Sequence, residues 1–252
     1  MKDEALLRYS RQIMLPDMDV AGQQKLVDAS VLIVGVGGLG CPAAMYLAAA
    51  GVGRLTLADD DKVELTNLQR QIAHRHSKLG ESKVSSAAET LRGLNPDVSL
   101  ALLDQRLAGE SLEQAVAEAD LVVDACDNFT TRFAINRACI KFAKPLVSGA
   151  AIRMEGQVAV FDSRREDSPC YQCLYQEGDD ADTSCSTNGV MAPLVGIIGS
   201  VQAMEAIKLL AGIGTTLAGR LLLLDARSMQ WRDMKLPRDP NCPACANRPV
   251  PS

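Results

Sequence analysis

Between residues 31 and 61 the chain reads "VLIVGVGGLGCPAAMYLAAAGVGRLTLADDD". An apolar strand-like run, Val31 to Val34, enters Gly35, Gly37 and Gly40, and a helical run opens at Pro42. A second strand-like run, "RLTLAD", then ends in Asp59, Asp60 and Asp61. Glycines permit a tight turn and let backbone N–H groups approach a phosphate at a helix N-terminus. An acid closing the second strand suits a ribose hydroxyl. The stretch therefore predicts a nucleotide, without saying which one.

Beyond it the pattern keeps alternating as far as Gly149. Strand-like runs "VSLALLD", "LVVDAC" and "PLVSGA" are separated by helical stretches such as "KVSSAAETLRGL" and "ESLEQAVAEA". Such alternation implies βαβ units and a parallel sheet. After Ala150 it stops. "GQVAVFD", "RLLLLDA" and "MQWRDMKL" then read as strands of an antiparallel extension, with "VQAMEAIKLLAG" as a long apolar helix among them. The expected fold class is α/β: a Rossmann-like, mostly parallel sheet with an antiparallel C-terminal extension. At 252 residues it is read as one domain. Residues 1–28 form a helical lead-in, 29–150 a nucleotide-binding half, and 151–252 a second half. The polar, acidic stretch from Tyr175 to Gly189 is the expected mobile loop.

A formal charge of −5 gives no basic footprint for nucleic acid. The opening "MKDEALLRYS" has no apolar export core, so a cytoplasmic location is expected. Ala29 to Gly53 carries no charge and its 25 residues are long enough for a bilayer. Six glycines and Pro42 break it into strand, turn and helix, so no membrane span is expected.

Of eight cysteines, Cys41, Cys126, Cys139 and Cys185 stand alone. Cys170 and Cys173 form "CYQC", and Cys242 and Cys245 form "CPAC", with 68 residues between the two pairs. Two CxxC turns can wrap four thiolates around one tetrahedral ion. A closed four-cysteine site leaves no position open for substrate, so Zn2+ there is expected to be structural. Redox-active pairs and an iron–sulfur cluster are the alternatives.

Residues downstream of the acids bear on the nucleotide. A dinucleotide's two charges are largely met by the helix N-terminus, whereas a triphosphate with Mg2+ calls for basic side chains and a metal carboxylate. Asn67 and Arg70 follow in "VELTNLQRQ", Lys83 opens the next helix, and Asp127 in "DACDN" sits just past an apolar strand. Each has a plain structural reading: Lys83 solvated on its helix, Arg70 in a surface ion pair, Asp127 capping a helix. Their gathering at one sheet edge, where α/β proteins bind ligands, favours the triphosphate.

In order and spacing, the run "RYSRQI … GVGGLG … DDDKVELTNLQRQ … K … DACDN … CYQC … GVMAPLVGIIG … CPAC" resembles the ThiF/MoeB family. These are ubiquitin-activating-like adenylyltransferases that charge sulfur-carrier proteins. The resemblance covers Leu7 to Cys245 and leans to members serving the small, MoaD-like subunit of molybdopterin synthase; ThiS, of the thiazole pathway, is the alternative carrier. It implies that Gly38 and Asp59 hold ATP, with Asp59 on the ribose. Thr66, Asn67, Leu68, Gln69 and Arg70 would line the nucleotide. Asn67, Arg70 and Lys83 would polarise its phosphates. Asp127 would hold Mg2+, beside Asn128. Arg11 would reach the neighbouring subunit's phosphates, making the active unit a homodimer. Cys185 lies where ThiF-type enzymes carry a sulfur-transfer cysteine, and it stays outside the catalytic set. The implied reaction joins AMP to the carrier's C-terminal glycine carboxylate. An NAD-dependent oxidoreductase and a non-catalytic zinc scaffold are the competing readings. The first leaves Arg70, Lys83 and Asp127 idle.

Overall fold

The computed structural model describes residues 1–177 and 189–248. Its strands are β1 (Ser30–Val34), β2 (Arg54–Ala58), β3 (Ser99–Leu103), β4 (Leu121–Asp124), β5 (Pro145–Ile152), β6 (Glu155–Asp162), β7 (Arg220–Asp225) and β8 (Gln230–Lys235). They form one sheet in the order β3-β2-β1-β4-β5-β6-β7-β8. The first five run parallel, and the pairs from β5 to β8 are antiparallel. The switch happens at a tight hairpin: Ile152 pairs with Glu155, leaving two residues to turn the chain. Two residues cannot make the crossover that a parallel neighbour needs, so β6 must run back.

Among the described residues, eight α-helices frame the sheet: α1 (Asp3–Arg8), α2 (Ser10–Ile13), α3 (Asp19–Asp28), α4 (Gly40–Ala50), α5 (Lys83–Leu94), α6 (Gly109–Ala117), α7 (Phe129–Lys141) and α8 (Ala192–Ala211). Side chains alternate across a strand, so a strand covered on both faces is apolar throughout. In β1, Val31 and Ile33 join one core with residues of α4, α5 and α8. Leu32 and Val34 join the other, beneath α6 and α7. The uncharged stretch 29–53 is thus divided among β1, the glycine turn and α4.

The apolar helix begins at Ala192, earlier than "VQAMEAIKLLAG", with a proline in its first turn, where a missing N–H costs nothing. By length and composition it could cross a membrane. Here it packs on α4 and the sheet, with Leu194, Val195, Ile198 and Ala206 buried.

Strand register sets up the site. Val34 lies level with Ala58 on one side and Asp124 on the other. The carboxyl ends of β1, β2 and β4 therefore align, and the loops that follow them share one edge. At the far end of α4, Gln12 and Gln23 both donate to the carbonyl of Ala50, at 3.0 and 2.9 Å. Asn95 donates to the Tyr9 hydroxyl at 2.9 Å. A Cβ on Gly51 would lie 2.5 Å from the Tyr9 ring, and its φ is +91°, so glycine is required there. The 9–12 segment is fixed at that end.

Candidate active site

The glycine turn closes on itself. A Cβ on Gly40 would stand 1.9 Å from the Gly35 carbonyl oxygen, and Gly35 itself has φ +91°. Asp59 pins the turn from the next strand: Oδ2 accepts the Val36 N–H at 2.7 Å and Oδ1 accepts the Asp61 N–H at 2.9 Å. A carboxylate has about four acceptor positions, so capacity remains for a hydroxyl. Burial raises the Asp59 pKa, against the opposing pull of Lys83. The buried Lys83 ammonium donates to Asp61 Oδ2 at 2.7 Å and lies 3.9 Å from Asp59 Oδ1.

Gly38, Asp59, Arg70, Lys83, Asp127 and Asn128 all line one cavity of about 820 Å³. Arg70 reaches it from a surface turn, its Nη1 donating to the Thr66 carbonyl at 3.0 Å. Thr66, Asn67, Leu68 and Gln69 belong to that turn and stand outside the cavity lining. Arg11 is also outside it. It is exposed on α2, by the C-terminal end of α4, whereas the glycine turn is at the N-terminal end. An eleven-residue helix spans about 16 Å. Cys185 and residues 178–188 of the acidic stretch lie outside the described residues.

The helix cap that sequence reasoning offered as a plain role for Asp127 belongs instead to Asn128. Asn128 Oδ1 accepts the Thr131 N–H at 2.9 Å and opens α7. Asp127, one residue earlier, is exposed at the cavity rim.

Sequence reasoning missed the polar floor beneath this rim. Asp124, fully buried, accepts the Cys126 N–H at 3.1 Å and the Ser148 hydroxyl at 2.7 Å. Arg132 lies 3.6 Å from the same carboxylate. Gln202 of α8 donates to the Asp124 carbonyl at 2.7 Å, and its Oε1 has no partner among the described residues. The only available signal was Asp124 itself, an acid closing an apolar strand.

His74 lies under the turn, with Nε2 3.0 Å from the Val36 carbonyl and 3.8 Å from Cys41 Sγ. Ser86 Oγ is 3.1 Å from Nδ1. Burial lowers the His74 pKa and pushes the Cys41 thiol up to about 12. Both groups stay neutral, so the pair supports the turn and supplies no nucleophile. Cys126, which lines the cavity, is likewise pushed well above its ordinary value by burial.

Beside the C-terminal part of α7, against Ile140, the two CxxC pairs meet. Cys170 and Cys242 Sγ are 3.6 Å apart, Cys173 and Cys245 3.6 Å, and Cys170 and Cys173 3.9 Å. Zn–S bonds of about 2.3 Å set tetrahedral sulfur separations of about 3.8 Å, whereas a disulfide needs about 2.05 Å. The four thiols fit zinc. Two arginines hold the halves together beside them. Arg238 donates to the carbonyls of Glu166 and Cys245, and Arg248 to those of Glu166 and Ser168.

The cavity continues over the antiparallel strands, where Ile152, Gln157, Tyr175 and Leu223 line it. Gln157 and the Tyr175 hydroxyl are hydrogen-bonded at 2.6 Å.

A parallel sheet with a glycine turn and a charged cavity at its carboxyl edge defines an α/β nucleotide-binding protein. The chain belongs to the ThiF family, whose model matches residues 9–244. It is 49% identical over 245 residues to the sulfur carrier protein ThiS adenylyltransferase of Escherichia coli (strain K12), spanning 97% of each chain. It is also 49% identical over 245 residues to the molybdopterin-synthase adenylyltransferase of that strain, spanning 97% of this chain and 98% of that one. A crystal structure of E. coli MccB with MccA-N7isoASN superposes with a TM-score of 0.84, over 96% of this chain and 75% of that one. At 23% identity that likeness concerns the fold alone.

Proposed function

We propose that this chain is an ATP-dependent adenylyltransferase acting on the molybdopterin-synthase small subunit, a ubiquitin-like sulfur carrier, in molybdenum cofactor biosynthesis. It would work as a homodimer in the cytoplasm. One observation carries the reading: a single cavity joins the glycine turn, Asp59, Arg70, Lys83 and Asp127 and runs on over the antiparallel strands. The first part suits ATP and the second an extended peptide tail.

In the reaction, an oxygen of the carrier's terminal carboxylate attacks the α-phosphorus of ATP. The new P–O bond gives acyl-adenylate, and the bond to the bridging oxygen breaks, its electron pair leaving with pyrophosphate. The substrate supplies its own anionic nucleophile, so no general base is required, and His74 stays buried. Asp59 would accept from the ribose. Lys83 would exchange its carboxylate partners for phosphate oxygens, with Arg70 beside it. Catalysis is then positioning plus charge stabilisation. Asp127 would hold Mg2+, which neutralises charge on the departing pyrophosphate. Cys170, Cys173, Cys242 and Cys245 would hold Zn2+ as a structural tether.

Arg11 would serve the partner's site. Its place by the far end of α4, outside its own cavity, supports that assignment. ThiS is the second reading, favoured by the equal identity to the ThiS adenylyltransferase.

Exchange of labelled pyrophosphate into ATP, run separately with each carrier, tests both readings. Exchange with the molybdopterin-synthase subunit is expected. Exchange with ThiS alone moves the assignment to the second reading, and exchange with neither rejects adenylation.

A further inference from the structure

After Asp124 the chain turns through Ala125 and Cys126 before reaching Asp127. Both backbone polar groups of Cys126 are held by one buried ion pair. Its N–H donates to Asp124 Oδ1 at 3.1 Å, and its carbonyl accepts from Arg132 Nη2. The same Nη2 donates to the Gly149 carbonyl at 2.8 Å, and Nη1 lies 3.6 Å from Asp124 Oδ2. Ser148, level with Asp124 on the neighbouring strand, donates to that carboxylate at 2.7 Å. On the other side of Asp127, Asn128 is held as the α7 cap. Asp127 thus sits between two fixed residues.

Taking a guanidinium out of water costs several kcal/mol, and an apolar residue of similar volume often fills such a space at no loss of stability. An apolar residue cannot hold the carbonyls of a turn residue, Cys126, and a strand residue, Gly149, at once. Arg132, only 6% exposed, does so from the first turn of α7. The planar fork makes this geometry possible, and a lysine ammonium retains the charge without the fork.

We propose that Arg132 is a positioning residue. Paired with Asp124, it fixes the Cys126–Asp127 turn so that the Asp127 carboxylate is presented to the cavity in one orientation, as holding Mg2+ would require. It also ties that turn to Gly149, in the middle of β5. The catalytic half of this statement rests on the adenylation reading; the structural half does not.

Arg132→Lys and Arg132→Gln test it with two measurements. The first is hydrogen exchange of amides 126–131, without ATP or carrier. Exchange there should quicken about tenfold or more in Arg132→Gln and less in Arg132→Lys, while amides of β1 and α4 keep wild-type rates. Unchanged exchange across 126–131 overturns the proposal. The second is steady-state adenylation per folded enzyme. A displacement near 1 Å costs about 10²-fold. The kcat should therefore fall by that order in Arg132→Gln, with KM for ATP within about twofold and a higher Mg2+ concentration for half-activation. A merely structural residue would lower Tm but leave kcat and Mg2+ demand of the folded fraction at wild-type values, and that result also overturns the proposal. Wild-type protein that makes no adenylate with either carrier would reject the adenylation reading; exchange alone then decides whether Arg132 holds the turn. Ser148→Ala, which removes a smaller part of the same network, takes its place if Arg132→Gln does not fold.

Discussion

Asp127 is exposed, and its carboxylate accepts no hydrogen bond among the described residues, while its neighbour Asn128 does the capping. Removing that carboxylate should therefore leave the fold unstrained. Asp127→Ala is expected to keep the wild-type Tm and bind ATP with only modest weakening. Adenylate formation should fall by about 10²–10³-fold or more, because stabilising charge matters chiefly as pyrophosphate leaves. Near-normal turnover in pyrophosphate exchange would remove Asp127 from catalysis. His74 makes the opposite case, a buried group with a stability role. Burial holds its folded-state pKa below 6.5, so the unfolded chain binds the proton first as pH falls. This group's contribution is complete above about pH 6.5 and declines below it, down to the folded pKa, at no more than about 1.4 kcal/mol per pH unit. Urea titrations at several pH values should show a shallower acid loss in His74→Gln than in wild type. Equal slopes would refute the assignment. The glycines and Asp59 were legible because a turn and its pinning acid lie within about one βαβ unit. The partners of Asp124 were not: Ser148, Arg132 and Gln202 come from three other elements, and nothing local links them.

Elements were legible where they are locally periodic and opaque where tertiary contact sets their limits. Strands buried on both faces announce themselves as apolar runs, as β1 and β4 do. The start of α8 at Ala192 was hidden because "APLVGIIG" has no helical stripe: its apolar residues fall on the buried face, as Leu194, Val195 and Ile198 do, and on the half-exposed one, as Ile197 does. The CxxC pairs were legible by spacing, yet the arginines that dock the tail were not. Arg238 and Arg248 reach carbonyls of residues 165–168, more than 70 positions earlier. None of the four cysteines lines the cavity, and Tyr171 between the first pair is the cluster's nearest approach to it in sequence. Cys173→Ser should therefore release the metal and lower stability while sparing nucleotide chemistry in the folded fraction. A loss of only about 2 kcal/mol lowers Tm by about 4–8 °C for a chain of this size. One zinc per chain retained at the wild-type Tm would count against the four-cysteine assignment.

For the whole molecule, the question is whether one chain holds a complete site. Arg11 is fixed with the 9–12 segment beside the C-terminal end of α4, outside its own cavity, so a catalytic role places it in a second copy. An arginine supplied to a phosphoryl-transfer site can be worth about 10³–10⁵ in rate, so Arg11→Ala alone should be nearly inactive. Asp127→Ala should be nearly inactive too. In a mixed dimer, the subunit carrying Arg11→Ala keeps its own Asp127 and receives Arg11 from its partner, which completes one site. The other site lacks both groups. Random exchange of equal amounts makes about half the dimers mixed, each with one working site of two, so activity should recover to roughly a quarter of wild type if the sites act independently. Subunit exchange is confirmed first, by mass or by a fluorescent label on each variant. With exchange established, absence of recovery would return Arg11 to its own subunit or take it out of catalysis, and the dimer would lose its catalytic reason.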